Sequence, residues 1–200
     1  RDAYVRSQRA LMQRRYLWLT EGIATYAEPL ARARRGQLSE RQVWSGLVDG
    51  FPNGLPAAGD RGLDRTPTWG RIYWGGALFA FVADIAIRRE TAGRRGLDDA
   101  LAAVIAEGGH NGEWRSMDAF LATCDAATET TVLSDMYARW GSEPVAVDLA
   151  SIYARLGVRV QGETVLGFDE DAPEAAIRRA LIAPPAPTSP ASALNPPPDR

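Results

Sequence analysis

Cysteine and histidine are almost absent from this sequence of 200 residues, and lysine is absent altogether. The single cysteine, Cys124, excludes an internal disulfide, so cysteine usage does not indicate a redox compartment. The single histidine, His110, excludes any site that needs two imidazoles from this chain. It stands in a turn-rich stretch, Gly108-Gly-His-Asn-Gly, which is typical of a surface loop.

Charge of one sign and long apolar runs are also lacking. The net charge is -2 and no run of five like charges occurs, which argues against a nucleic-acid or acidic-membrane partner. The longest apolar stretch, residues 77–87, is interrupted by Asp84 and is too short to cross a bilayer. We therefore expect a buried helix there and no membrane span. The compartment stays open between cytoplasmic and periplasmic or secreted.

Hydrophobic periodicity predicts a mainly α-helical fold. A helix over 3–35 would place Leu19, Ile23, Tyr26 and Leu30 on one face. Signals for helix starts and stops divide the rest of the chain into shorter helices. The starts are marked by Ser39 with Gln42, by Thr68 and by Ser116, and the stops by Gly36 and Gly93. These helices are expected at about 40–48, 69–91, 97–107, 116–127, 130–140, 147–156 and 173–182.

Three segments depart from the helical period. Residues 49–68 are rich in glycine and proline and are predicted to form a long ordered loop or lid. Residues 158–168 alternate apolar and polar side chains, which predicts a small β-hairpin. Residues 183–200 are proline-rich and cannot build a core, so we expect a helical domain over 1–182 followed by a disordered tail.

The segment 17–26 has an unusual glycine in the middle of a predicted helix. Gly22 costs about 1 kcal/mol relative to alanine there, which makes sense if another helix or a ligand approaches that backbone closely. Its neighbour Glu21 lies off the apolar stripe and shares a face with Trp18, Thr25 and Glu28. Spacing alone favours the alternative, a solvated glutamate beside a packing glycine, because most glutamates on helices are exposed.

The segment 71–80 places two adjacent glycines, Gly75 and Gly76, early in an apolar helix, which again predicts a close approach. Tyr73 beside them could present its hydroxyl, a neutral hydrogen-bond donor at pH 7, to a bound molecule. The alternative is a core tyrosine whose hydroxyl reaches a backbone carbonyl.

Together these two segments resemble those of the gluzincin zinc aminopeptidases. The first resembles the Trp-x-x-Glu-Gly-x-x-x-Tyr segment that follows the H-E-x-x-H helix in that family, and the second resembles the Tyr-x-Lys-Gly-Ala segment. The likeness extends over about 14–160 and is strongest at 17–35 and 69–101. The pattern is most similar to the glycyl aminopeptidases and more distantly to the aminopeptidase N group.

The resemblance implies the helical C-terminal part of a thermolysin-like catalytic domain, acting on peptide substrates with zinc as cofactor. Glu21 matches the family's third zinc ligand, which completes a two-histidine, one-glutamate site. Tyr73 matches the tyrosine that donates a hydrogen bond to the developing oxyanion. Trp18 and Thr25 are then candidates for orienting Glu21.

Two departures from the family pattern limit what this chain could do. Gly75 stands where the family has lysine, and no H-E-x-x-H occurs. We therefore expect an upstream segment of the same protein to supply both histidines, and we expect this chain alone to be inactive and to bind zinc weakly. The alternative is an inactive helical pseudoenzyme or a module that binds a partner through 49–68 or the tail.

The remaining polar and aromatic signals have structural interpretations. Asp84 and Arg88 stand four residues apart on a buried helix and are expected to pair. Asp98 and Asp99 suit the first turn of a helix. Cys124 has no basic neighbour and is not expected to be a nucleophile. The aromatic residues expected in the core are Trp114, Trp140, Tyr137 and Tyr153.

Overall fold

The structure, a computed structural model, describes residues 14–107 and 116–184. Several sequence predictions concern other parts of the chain. The beginning of the first predicted helix, His110, Trp114 and residues 185–200 of the proline-rich segment all lie outside the described residues.

The described residues form a mainly helical fold with one small antiparallel sheet, as the sequence predicts. The α-helices are α1 (Leu17–Arg34), α2 (Glu40–Gly50), α3 (Gly76–Glu90), α4 (Leu97–Ala106), α5 (Met117–Thr128), α6 (Val132–Trp140), α7 (Leu149–Leu156) and α8 (Ala175–Ile182). The strands are β1 (Val158–Gln161) and β2 (Thr164–Phe168), and they pair as a hairpin. A 3₁₀ turn (Phe51–Gly54) follows α2, and a π-helical segment (Arg71–Gly75) runs directly into α3. Within these ranges no helix combines the length and the hydrophobicity that a bilayer span requires.

Local sequence signals account for several helix ends. The Ser39 hydroxyl accepts from the Gln42 N–H, and the Gln42 side chain accepts from the Ser39 N–H, so the predicted capping box at α2 is confirmed. The Ser116 hydroxyl caps α5 through the Ala119 N–H. Gly36 follows α1 with a φ of 71°, which glycine adopts without strain.

The core is organised around α3, which is buried on nearly every side. Leu78, Phe79, Phe81 and Ile87 are almost completely removed from solvent. The helix contacts α1, α4, α6 and α8. The predicted central position of this apolar helix is therefore confirmed.

The closest contact of the fold lies where α1 crosses the start of α3. A Cβ atom on Gly22 would lie 2.3 Å from the Cα of Gly76, and a Cβ on Gly76 would lie 1.9 Å from the Trp18 carbonyl oxygen. Only glycine at both positions permits this approach. The sequence prediction that these glycines mark a close helix approach is confirmed, and the partner of each is the other helix.

A buried carboxylate, Asp84, joins three elements beside this crossing. It accepts from Arg88 Nε at 2.9 Å, as the four-residue spacing predicts. It also accepts from the Tyr26 hydroxyl at 3.0 Å and from the Leu97 backbone N–H at 2.9 Å. A single charge therefore ties α1 and the start of α4 to α3.

Arg178 fastens the hairpin end of the molecule. Its side chain is fully buried, and its Nη1 donates to the carbonyl oxygens of Leu156, Gly157 and Asp169. Its Nε donates to Glu40 at 2.8 Å. These bonds attach α8 to the turns that flank the hairpin and to the start of α2.

We expect Gly22→Ala to destabilise the protein by about 2–3 kcal/mol, because the added methyl group would overlap the Gly76 backbone. Gly46→Ala is the matched control, since Gly46 also lies inside a helix but a Cβ there meets nothing within 4 Å. The control should stabilise by about 0.5–1 kcal/mol. Urea unfolding measures both, and equal effects of the two variants would contradict the close crossing.

Candidate functional site

Glu21 lies on α1 one turn after the buried Trp18, and its side chain is half-buried. Within the described residues its carboxylate makes no hydrogen bond and no ion pair. A half-buried carboxylate of this kind is open to a partner that the structure does not contain.

Tyr73 lies within the π-helical segment that precedes α3. Such segments are rare and are frequently found at functional sites. The Tyr73 side chain is half-buried, and its hydroxyl makes no hydrogen bond to any residue in the described ranges. Its ring packs at 6.1 Å from the ring of Trp69, which is 63% exposed.

The helix crossing brings Glu21 and Tyr73 into the same region. Gly22 follows Glu21 directly, and Gly76 stands one turn after Tyr73. A Cβ on Gly76 would lie 2.8 Å from the Cα of Gly22, so the two glycine Cα atoms lie within about 4.5 Å of each other. Adding the two short backbone steps, the Cα atoms of Glu21 and Tyr73 are at most about 13 Å apart. That their polar groups face one cleft stays a prediction.

Arg71 occupies the space beside Gly75, where the family pattern has lysine. A Cβ on Gly75 would lie 3.3 Å from Arg71 Nη1. The buried guanidinium pairs with Asp60 at 2.7 Å and donates to the Gly54 carbonyl. Burial lowers the pKa of Arg71, and the neighbouring Asp60 opposes this effect. Sequence reasoning missed this pair, since nothing in the spacing of the two residues indicates it.

A second buried carboxylate, Asp64, explains the order of the loop before the π-helical segment. Its side chain is only 3% exposed and accepts from the Trp18 indole N–H at 2.9 Å and from the Tyr137 hydroxyl at 2.8 Å. Arg15 adds an ion pair at 2.8 Å. Asp60 and Asp64 therefore hold the loop against α1, α6 and the π-helical segment.

These contacts correct the predicted roles of Trp18 and Thr25. The one N–H of the Trp18 side chain donates to Asp64, so Trp18 does not orient the Glu21 carboxylate by a hydrogen bond. The Thr25 hydroxyl donates to the Glu21 backbone carbonyl at 2.7 Å, which is the ordinary helical contact four residues back. Neither residue donates a hydrogen bond to the Glu21 carboxylate.

Residues 14–107 and 116–184 contain no group of three or more His, Cys, Asp or Glu side chains that could hold a metal ion. Glu21 contributes one carboxylate, which fits a zinc site only as one ligand among several. The donor set is thus compatible with zinc when further ligands come from outside the described residues.

A surface cavity of about 370 Å³ lies elsewhere, at the opposite end of α3. Arg89, Arg155 and Glu174 line it together with small apolar side chains. Its Arg88 stands fifteen residues after Tyr73, so the cavity is about 20 Å from that residue along the helix. It is a separate feature from the Glu21 and Tyr73 region.

Comparison with protein-family models, with curated proteins and with solved structures found no match to this chain.

We expect Asp64→Ala to destabilise the protein by about 3 kcal/mol, because it leaves the Trp18 N–H and the Tyr137 hydroxyl without their acceptor. Asp49→Ala is the control, since Asp49 is exposed on α2, and its effect should stay within about 0.5 kcal/mol. Thermal and urea unfolding measure both. A small effect of Asp64→Ala would show that the loop is not held by this carboxylate.

Cys124 should be unreactive in the folded protein. It is completely buried, and burial raises the pKa of its thiol from 9.0 to about 12. We expect no labelling by a thiol reagent at about pH 8 until denaturant is added. Because the unfolded thiol ionises first, stability should decline as the pH rises from 9.0 towards about 12. Rapid labelling of the native protein would contradict this burial.

Proposed function

We propose that this chain is the helical C-terminal part of the catalytic domain of a zinc aminopeptidase of the gluzincin type, with a thermolysin-like architecture. The supporting observation is the crossing at Gly22 and Gly76, which brings together the two segments that carry the family resemblance. It places Glu21 and Tyr73 within one turn of the same backbone contact. Both polar groups lack a partner within the described part of the chain.

In this proposal Glu21 is one zinc ligand, and an upstream segment of the same protein supplies two histidines and a general-base glutamate. When zinc is bound by such a ligand set, it lowers the pKa of a water molecule to about 7 and supplies a nucleophile at neutral pH. The half-buried position of Glu21 suits this role, because partial burial strengthens a charge–charge contact relative to bulk water.

Tyr73 then donates a hydrogen bond to the oxygen of the scissile carbonyl as negative charge develops on it. The Tyr73 hydroxyl lies on a helical segment and has no hydrogen-bond partner among the described residues, so it can act as a preorganised donor. The Tyr73 ring packs against the ring of Trp69. The substrate is a peptide with a free amino terminus.

The test uses the complete protein that contains this chain. Glu21→Gln should abolish stoichiometric zinc binding and hydrolysis of aminoacyl fluorogenic amides together. Tyr73→Phe should retain zinc and lower kcat by about 10²- to 10³-fold, because one oxyanion donor is removed. Zinc content by mass spectrometry and steady-state kinetics are the measurements.

Two controls make these effects specific. Glu28→Gln changes a carboxylate on the same helix whose partner is the exposed Arg32. Tyr153→Phe removes a buried hydroxyl that has no partner among the described residues. Both variants should retain the zinc content and the kcat of the parent protein. N-acetylated substrates should not be hydrolysed if the enzyme is an aminopeptidase.

The alternative function is an inactive pseudoenzyme or a helical interaction module. It predicts a complete protein that folds normally, binds no stoichiometric zinc and hydrolyses none of the amides. Full activity of Tyr73→Phe would refute the role of this tyrosine even if zinc were present.

A further inference from the structure

A cluster of three charged side chains lies at the C-terminal end of α3, remote from Glu21 and Tyr73. At its centre is Glu174, whose side chain is only 8% exposed. Arg89 donates to both carboxylate oxygens, from Nε at 2.8 Å and from Nη2 at 3.0 Å. Arg155 donates to one of them from Nε at 3.1 Å and from Nη2 at 2.5 Å.

Glu174 uses only one edge of each guanidinium. Nε and Nη2 of both arginines are used by Glu174, whereas Nη1 of neither has a partner in the described ranges. Both arginine side chains are about half exposed, at 50% and 51%. Two positive charges around one negative charge leave a net charge of +1. The buried glutamate therefore orients two arginines while using only part of their donor capacity.

The same three residues, Arg89, Arg155 and Glu174, line the cavity of about 370 Å³. This volume lies at the lower end of the range for small-molecule sites. Arg88 also lines it, but its Nε is committed to Asp84. The rest of the wall is apolar and consists of Ala92, Gly93, Pro173, Ala176, Ile177 and Ala180.

We propose that this cavity binds a small organic anion, a carboxylate or phosphate carried by a short aliphatic group. The guanidinium groups of Arg89 and Arg155 match the planar or tetrahedral oxygens of such a group, and Glu174 keeps both in position before the ligand arrives. The small apolar side chains receive the aliphatic part. This site does not depend on the peptidase proposal and lies outside its chemistry.

Binding is tested on the chain itself by titration at constant ionic strength. The ligands are isovalerate, isobutyl phosphate and the uncharged isovaleramide. Binding is monitored in ¹H–¹⁵N spectra through the backbone amides and the arginine Nε–H groups. Shifts are expected at Gly93, Ala176 and Ile177, which line the cavity. Either anion should produce them, and the amide should not. The stronger of the two anions identifies the preferred head group.

The variants separate recognition from general charge. Arg155→Gln should weaken binding of the anion at least tenfold while Arg89 still neutralises Glu174. Arg139→Gln is the charge-matched control, since Arg139 is exposed on α6 and does not line the cavity; it should bind like the parent chain.

A further variant keeps every charge. Ala176→Leu adds bulk to the apolar wall and should weaken binding of isovalerate severalfold. If circular dichroism shows that Arg155→Gln disturbs folding, Ala176→Leu still tests whether the ligand occupies the cavity.

The proposal is overturned if neither anion shifts the signals of the cavity residues at concentrations up to about 50 mM. A dissociation constant above that concentration is far weaker than that of a specific small-molecule site. Equal shifts from isovaleramide, or equal weakening by Arg139→Gln and Arg155→Gln, would overturn it as well. Loss of binding in Arg155→Gln and Ala176→Leu, with retention in the control, supports it.

Discussion

The direct backbone contact between Gly22 and Gly76 is the constraint on which the rest of the fold depends. Neither residue has a side chain, so α1 packs against the start of α3 with the Trp18 carbonyl almost touching the α3 backbone. This crossing sets the position of α1 along the central helix. It thereby places Trp18 where Asp64 can accept its N–H and Tyr26 where Asp84 can accept its hydroxyl. The same contact brings Glu21 and Tyr73 into one neighbourhood, which is the geometric basis for the proposed metal-dependent function.

Buried charged side chains join the helices, the long loop and the hairpin through hydrogen bonds and ion pairs. Asp84 joins α1, α3 and α4, Asp64 joins the long loop to α1 and α6, and Arg178 joins α8 to the hairpin. A buried ion pair contributes little net free energy against an apolar replacement, but removing one partner is costly because the other stays buried without compensation. We infer that these groups chiefly specify which elements pack together, while the apolar core around α3 provides most of the stability.

The two ends of the long central helix have different chemistry. At its beginning, a π-helical segment carries Tyr73, and the polar groups of Tyr73 and Glu21 have no partner in the described part of the chain. At its end, Arg89 in the last turn and Arg155 of α7 both bond to one buried glutamate that lines an open cavity. In the functions proposed above, the first arrangement requires further ligands from elsewhere in the protein, and the second recognises an anion. Since about 20 Å of rigid helix separates them, each can be altered without the other.

Sequence alone determined the features that depend on neighbouring residues. Helical periods, the caps at Ser39 and Ser116, the hairpin and the pair Asp84–Arg88 all arise from interactions within a few positions. The glycines also indicated a close approach, although not its partner. Only the tertiary structure decided that Trp18 donates to Asp64 rather than supporting Glu21, that Arg71 pairs with Asp60 beside Gly75, and that Arg178 reaches Glu40. Most of these contacts join residues far apart in the chain, and even the nearer Arg71–Asp60 pair depends on how an irregular loop folds back. Partner choice at that range is set by the packing of helices against one another, which no local pattern encodes.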